Sequence, residues 1–231
     1  KRLFYGSCFA LITTAFSFSI RAGILPELGR TFELTAQQLG VINSMWFLGF
    51  PISMVLGGIF YGSLGPKKIM VFAFFAHMVG ILLTIYSGGY TGLLISTLFI
   101  GLGNGCTEAA CNPMIAASYT GKQMNTLLNR FHMWFPGGIV IGSLVSLAMT
   151  KMNFGWEAQI WIILIPTIIY AYLFYGQAFP EPKKEIASFA ENLKAMSPVW
   201  RVSGKIQFTP LFIFMCICMT LTAISEFGPQ Q

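Results

Sequence analysis

Glu108 lies in Gly101-Leu-Gly-Asn-Gly-Cys-Thr-Glu-Ala-Ala-Cys-Asn-Pro113, part of an apolar run long enough to cross a membrane. A carboxylate at such depth costs about 2.5–3.5 kcal/mol on insertion scales, so it is kept facing a bundle interior or a wet cavity, as a solute or proton site. A structural reading stands beside this one: an ion pair with Arg21 or Arg130, the two cations that also fall inside apolar runs. Arg21 divides evenly between pairing and solute binding, and Arg130, near the end of its run, can snorkel to the interface. Asn112 and Asn129 carry amides that donate and accept at once, which suits sugar hydroxyls. His132 adds a ring that either binds solute or packs. Trp46 and Trp134 offer faces for the C–H groups of a pyranose, or serve as packing anchors. Glu226, in Ser225-Glu-Phe-Gly-Pro-Gln-Gln231, is a further intramembrane acid. His77 shows no partner pattern and reads as a packing residue. Cys8, Cys106, Cys111, Cys216 and Cys218 lie in apolar runs without metal-ligand spacing and read as small packers.

The elements that must position these groups are membrane helices. Hydrophobic residues make up 55% of the 231 and charged residues 10%, where soluble domains carry roughly a quarter charged. Apolar runs give seven spans, 3–28, 38–63, 69–87, 91–118, 125–150, 158–179 and 207 to the end. Their connections are short except the sixth, Pro180 to Pro198, a charged stretch with amphipathic character. It separates a bundle over 1–180 from a cytoplasmic linker over 181–205 and a seventh helix over 206–231 that starts a second bundle. With the N-terminus inside, Lys1, Arg2, Lys67, Lys68, Lys122, Lys183, Lys184, Lys194, Arg201 and Lys205 fall on the inner side, and only Arg30 and Lys151 on the outer. Cytoplasmic loops carry the Lys/Arg excess, which sets this orientation. The first span is too long for a cleaved signal peptide and lacks a small-residue cleavage site. The net charge of +6 is scattered through short loops, so it is a topology signal and no nucleic-acid patch.

The sequence repeats itself with an offset near 88. Arg21-Ala-Gly-Ile-Leu-Pro26 and Glu108-Ala-Ala-Cys-Asn-Pro113 each place a charge five residues before a proline, and Met45-Trp46-Phe47 recurs as Met133-Trp134-Phe135. That offset covers three spans, an odd number, so the second copy enters the membrane from the opposite side. Such inverted repeats mark secondary transporters, whose sites lie near the midplane at the repeat interface. The glycines of the fourth span, with Gly137, Gly138 and Gly142, read as close-packing positions. The expected fold is therefore all-α and polytopic: a six-helix N-terminal bundle of two inverted three-helix repeats, plus helix 7 of a second bundle.

The stretch Gly58-Ile-Phe-Tyr-Gly-Ser-Leu-Gly65-Pro-Lys67-Lys68 resembles the signature between helices 2 and 3 of the major facilitator superfamily. The glycines and cations are kept, while Gly62 stands for the usual acid and Ser63 for the arginine after it. In that family the loop latches the two halves together on the cytoplasmic side, which gives Gly58, Gly65, Lys67 and Lys68 a gating role by resemblance. More closely, Glu108-Ala-Ala-Cys-Asn112-Pro113 and Leu128-Asn129 are similar to helices 4 and 5 of the fucose–galactose–glucose:proton symporter family, with His132 where that family has a sugar-contacting Gln. The resemblance implies a sugar site and a proton-coupling role for Glu108. The helix 1 carboxylate of the family is missing, and Arg21-Ala22-Gly23 occupies its neighbourhood.

These readings converge on a carrier that moves a monosaccharide or similar small polar solute by alternating access, coupled to protons at Glu108 or else facilitative. Its setting is a cell membrane, the bacterial inner membrane, with the N-terminus cytoplasmic. Its partners are the solute, the proton, membrane lipid and the second half of the same carrier, with no cofactor and no metal. Facilitator-type efflux of a drug or lipid is the alternative. A seven-helix receptor fails on orientation, and an enzyme fails because no Ser/His/Asp set or His-Glu metal motif is present.

Overall fold

The computed structural model describes residues 1–86 and 88–180. Five helices account for nearly all of them: α1 (Arg2–Thr31), α2 (Ala36–Tyr86), α3 (Tyr90–Ser118), α4 (Gly121–Lys151) and α5 (Trp156–Phe174). Each is long and apolar enough to cross a membrane, and no strand occurs among the described residues. The first six expected spans are all present, because α2 contains two of them. The loop expected between the second and third spans contracts to a single residue, Gly65, at φ 74° and ψ 162°. Only glycine takes that left-handed φ without a Cβ penalty. Pro66 follows with φ preset for a first helical turn, so limb 36–64 passes straight into limb 66–86. The linker at 181–205, the seventh span and Glu226 lie outside the described residues.

Helix starts are written locally. Thr35 accepts the Gln38 amide on its Oγ1 at 3.3 Å while its own N–H donates to Gln38 Oε1 at 2.9 Å, a reciprocal capping box at the head of α2. The start of α5 is capped from a distance: the Trp156 N–H donates to Glu27 Oε1 of α1 at 3.3 Å, a carboxylate at a helix N-terminus.

Glycine contacts show how α2 and α3 pack. A Cβ on Gly49 or on Gly80 would strike nearly the same turn of α3, at Leu98 and Leu102 or at Ser96 and Ile100; one on Gly57 would meet Ala109. Met70 meets Cys111 further along. The first limb therefore runs with α3 and the second climbs back along it. Meanwhile α1 packs chiefly on α4 and α5. The first span thus lies on the fifth and sixth, and the fourth span on the second and third. That exchange of partners is what two pseudo-symmetric three-helix repeats produce.

The interfaces are lined by small residues, with Gly138 against Ala15, Gly142 against Ser19 and Gly101 against the Trp46 backbone, as expected where backbones approach closely inside a membrane. Two apolar clusters fill the ends of the bundle. One gathers Leu11, Met70, Met114, Phe131 and Phe174, the other Ile20, Ile42, Ile81, Leu93 and Trp156. Between them runs a polar layer.

Candidate functional site

The polar layer is organised by α3. Thr97, Asn104, Glu108 and Asn112 recur at spacings of seven, four and four, which keeps them along one flank of the helix. Asn112 Nδ2 donates to Glu108 Oε2 at 2.5 Å and also lies 3.2 Å from the Glu108 carbonyl. The carboxylate is thus fixed by the residue one turn on, with both side chains half-buried. Pro113 brings no N–H to the Ala109 carbonyl four residues back, next to the acid in sequence. The exposed ring of His132 on α4 lies within electrostatic reach of Glu108. Pro136 likewise leaves the His132 carbonyl without its helical donor. Glu108, Asn112 and His132 thus bring a carboxylate, an amide and an imidazole into one neighbourhood, with His132 itself exposed.

Other expected site residues fall elsewhere. Helical geometry puts Trp134 about 160° around α4 from His132, and Trp134 flanks the buried face of Phe131, Gly138 and Gly142 on the opposite edge. It does not join the Glu108 group. Asn129 is exposed on α4, one turn before His132, and Arg130 is exposed beside it; neither pairs with Glu108 among the described residues. Trp46, expected to stack on sugar, is 6% exposed and already enclosed by aromatic rings: Phe50 stacked at 5.5 Å, Phe18 at 5.4 Å and Phe47 at 5.0 Å between centroids. No ring face is left for a pyranose in this arrangement.

Arg21 is 4% exposed and donates through Nη2 to Thr97 Oγ1. Thr97 and Glu108 are eleven residues apart on α3, about 16 Å of helical rise, so the Arg21–Glu108 ion pair does not form. Among the described residues Arg21 Nε and Trp46 Nε1 are the buried side-chain donors with no acceptor. The two lie at the junction of α1, α2 and α3, where Phe18 and Arg21 share one face of α1.

The residues read as a gate cluster at the hairpin of α2. Gly65 makes the turn, Gly58 stands in open space, and Lys67 and Lys68 are exposed. Lys67 lines a groove of about 540 Å³ together with Met70, Phe74, Tyr170, Phe174 and Phe179.

The structure adds a fully buried group around His77, a residue whose sequence neighbours suggest only packing. His77 Nε2 lies 2.9 Å from Asn104 Oδ1 and His77 Nδ1 lies 3.0 Å from the Tyr170 hydroxyl. Asn104 Nδ2 donates to Ser17 Oγ at 3.1 Å, and Ser17 Oγ donates to the Thr14 carbonyl at 2.8 Å. The chain joins α1, both α3 and the second limb of α2, and α5. Its visible signal was the four-residue spacing of Asn104, Glu108 and Asn112; the partners of Asn104 come from helices remote in sequence.

A bundle of helices each long and apolar enough to cross a membrane, with polar side chains paired between them, defines a polytopic membrane protein. The Major Facilitator Superfamily profile matches residues 7–230, and the chain belongs to that family. Relatives include the hexuronate transporter of Bacillus subtilis, 27% identical over 168 residues, 70% of this chain and 38% of that protein. The L-fucose-proton symporter of Escherichia coli is 25% identical over 139 residues, 59% of this chain and 32% of that protein. The chloroplastic ascorbate transporter of Arabidopsis thaliana is 25% identical over 167 residues, 70% and 30%. Among solved structures, the peptide transporter POT in complex with sulfate shares the fold, with a TM-score of 0.63 at 16% identity over 99% of this chain and 46% of that one. The chain spans less than half the length of each of these proteins.

Proposed function

We propose that this chain supplies one half of a carrier that moves a monosaccharide or similar small polar solute by alternating access, with Glu108 as the group that exchanges a proton. The observation that carries the reading is Glu108 itself, half-buried within a membrane-spanning helix, held by Asn112 and faced by His132. A site that keeps an ionisable group at that depth uses it. In this reading 1–180 is the N-terminal bundle, 181–205 the linker on the cytoplasmic side, and 206–231 the start of the second bundle, with Glu226 as its contribution to the cavity. Rocking of two halves about the shared site requires both, so these 231 residues alone give no net uptake. Gly58, Gly65, Lys67 and Lys68 form the cytoplasmic latch. The N-terminus faces the cytoplasm of a bacterial cell, as the loop cations indicate.

Arg21 favours a narrower substrate class. A buried guanidinium whose side-chain partner among the described residues is a neutral hydroxyl is a binding group for an anion. Relatives carry the names hexuronate transporter and ascorbate transporter, both for sugar acids. We therefore place sugar acids ahead of neutral hexoses.

The test is uptake by the complete carrier in vesicles, comparing glucuronate with glucose and fucose, with and without an imposed pH gradient. Accumulation above equilibrium only with the gradient supports coupling at Glu108, and equilibration in both conditions makes the carrier a uniporter. Loss of the preference for glucuronate in Arg21→Gln supports the sugar-acid reading. If no sugar or sugar acid moves, efflux of a drug or lipid takes its place.

A further inference from the structure

The hydrogen bonds around His77 run one way. Ser17 has a single proton and spends it on the Thr14 carbonyl, so toward Asn104 it can only accept. The amide NH2 of Asn104 therefore faces Ser17, and its Oδ1 faces His77. Oδ1 has no proton to offer, which puts the imidazole proton on Nε2 and leaves Nδ1 to accept from the Tyr170 hydroxyl. Every polar atom of the chain from Tyr170 through His77 and Asn104 to Ser17 is then matched by one tautomer of a neutral ring.

This tether sits where α2 and α3 meet through glycines. A Cβ on Gly101 would stand 2.6 Å from the Trp46 carbonyl, one on Gly105 2.1 Å from that of Phe50, and one on Gly80 2.9 Å from that of Ser96. On the His77 side, Gly103 has the imidazole ring lying directly on it, 2.5 Å from where a Cβ would be. Helices that meet backbone to backbone have a well-defined separation but few side-chain knobs to resist sliding along the axis. Directional bonds do resist it. Hydrogen bonds of 2.9 and 3.0 Å are largely lost beyond about 3.5 Å, so a slide of well under one helical residue breaks them.

Asn104 lies four residues before Glu108 on the same flank of α3, about 6 Å of rise away. We infer that His77 is a positioning residue for the Glu108–Asn112 pair: by gripping Asn104 against Tyr170 and Ser17 it sets the height of α3 in the bundle and so the presentation of Glu108 to the cavity. His77 touches no solute in this scheme. The inference rests on the proposed role of Glu108 for its functional meaning, but its test does not depend on any solute.

The test uses the chain in a cysteine-free background, carrying Glu108→Cys as the probe and reading its labelling rate with a charged thiosulfonate reagent. His77→Gln keeps the pattern, since its amide N–H replaces Nε2–H and its oxygen accepts from Tyr170; the expected rate is within twofold of the parent. His77→Leu keeps bulk and removes both bonds; the expected rate changes at least fivefold. Tyr170→Phe and Ser17→Ala break the two ends with little change in volume and stand in if His77→Leu is not recovered folded; each is expected to shift the rate at least twofold. An unchanged rate in His77→Leu, or in both end variants, overturns the inference, as does His77→Gln behaving like His77→Leu. A carrier that transports no sugar while these rates shift as expected refutes the proposed function and leaves the tether standing.

Discussion

The glycines of α3 and α4 look alike in sequence, yet the structure predicts opposite outcomes for the same substitution at two of them. At Gly105 a new methyl would stand 2.1 Å from the Phe50 carbonyl oxygen and 2.2 Å from Ser53 Oγ, where ordinary C···O contact needs about 3.3 Å. The obstacle is backbone, and Ser53 is itself bonded to the Gly49 carbonyl at 2.9 Å, so neither neighbour swings away. Overpacking of this kind costs about 1–3 kcal/mol. Replacing a helical glycine by alanine returns roughly 0.5–1 kcal/mol through backbone entropy, so Gly105→Ala, taking the upper end of that overpacking cost because the obstacle is backbone, comes out destabilised by about 2 kcal/mol. At Gly137 a Cβ meets nothing within 4 Å, and Gly137→Ala keeps only the gain of about 0.5–1 kcal/mol. The check is the unfolding midpoint of the purified chain in mild detergent, with both variants run beside the parent. If Gly105→Ala proves as stable as Gly137→Ala, the tight α2–α3 contact argued here is wrong.

Four further outcomes follow from the same geometry. Glu108→Gln should insert and fold normally while uptake by the complete carrier is abolished, and unaltered transport kinetics would remove Glu108 from the mechanism. Arg21 and Glu108 are too far apart to touch, so a double-mutant cycle on solute affinity should be additive within about 0.5 kcal/mol; a larger coupling would mean the two meet in another state of the carrier. Gly65→Ala forces a Cβ into left-handed φ at the α2 hairpin and should lower stability by about 1 kcal/mol, read as a drop in the unfolding midpoint. Glu27→Ala uncaps α5 and should cost about 1 kcal/mol, which hydrogen exchange at the Trp156 amide would report as lost protection.

Much of the fold was legible because membrane helices announce themselves one at a time. A run of twenty apolar residues is a helix whatever surrounds it, since lipid offers no partner for an unpaired backbone; hence six spans came out within a few residues at most ends. The inverted repeat was visible too, because pseudo-symmetry copies residues at a fixed offset. Gly65 is legible as a loop glycine, but a one-residue turn between two membrane helices depends on the φ that only the folded chain reveals.

The site divided along a different line. Glu108 and Asn112 are four apart on one helix, and local geometry alone brings their side chains together. Arg21 and Glu108 look like partners by their matching positions in the two repeats, but matching positions in an inverted repeat share a local pattern, not a common height in the bundle. Trp46 and Trp134 share a tripeptide motif and nothing of their surroundings, because which flank of a helix faces a cavity depends on what packs against the other flank. His77 had no pattern around it, since its partners Tyr170 and Asn104, and the Ser17 that Asn104 in turn holds, lie on three other helices. Apolar length and local spacing act within one segment and are written in the residues of that segment. Height, rotation and polar pairing are relations between segments, and only the packed bundle decides them.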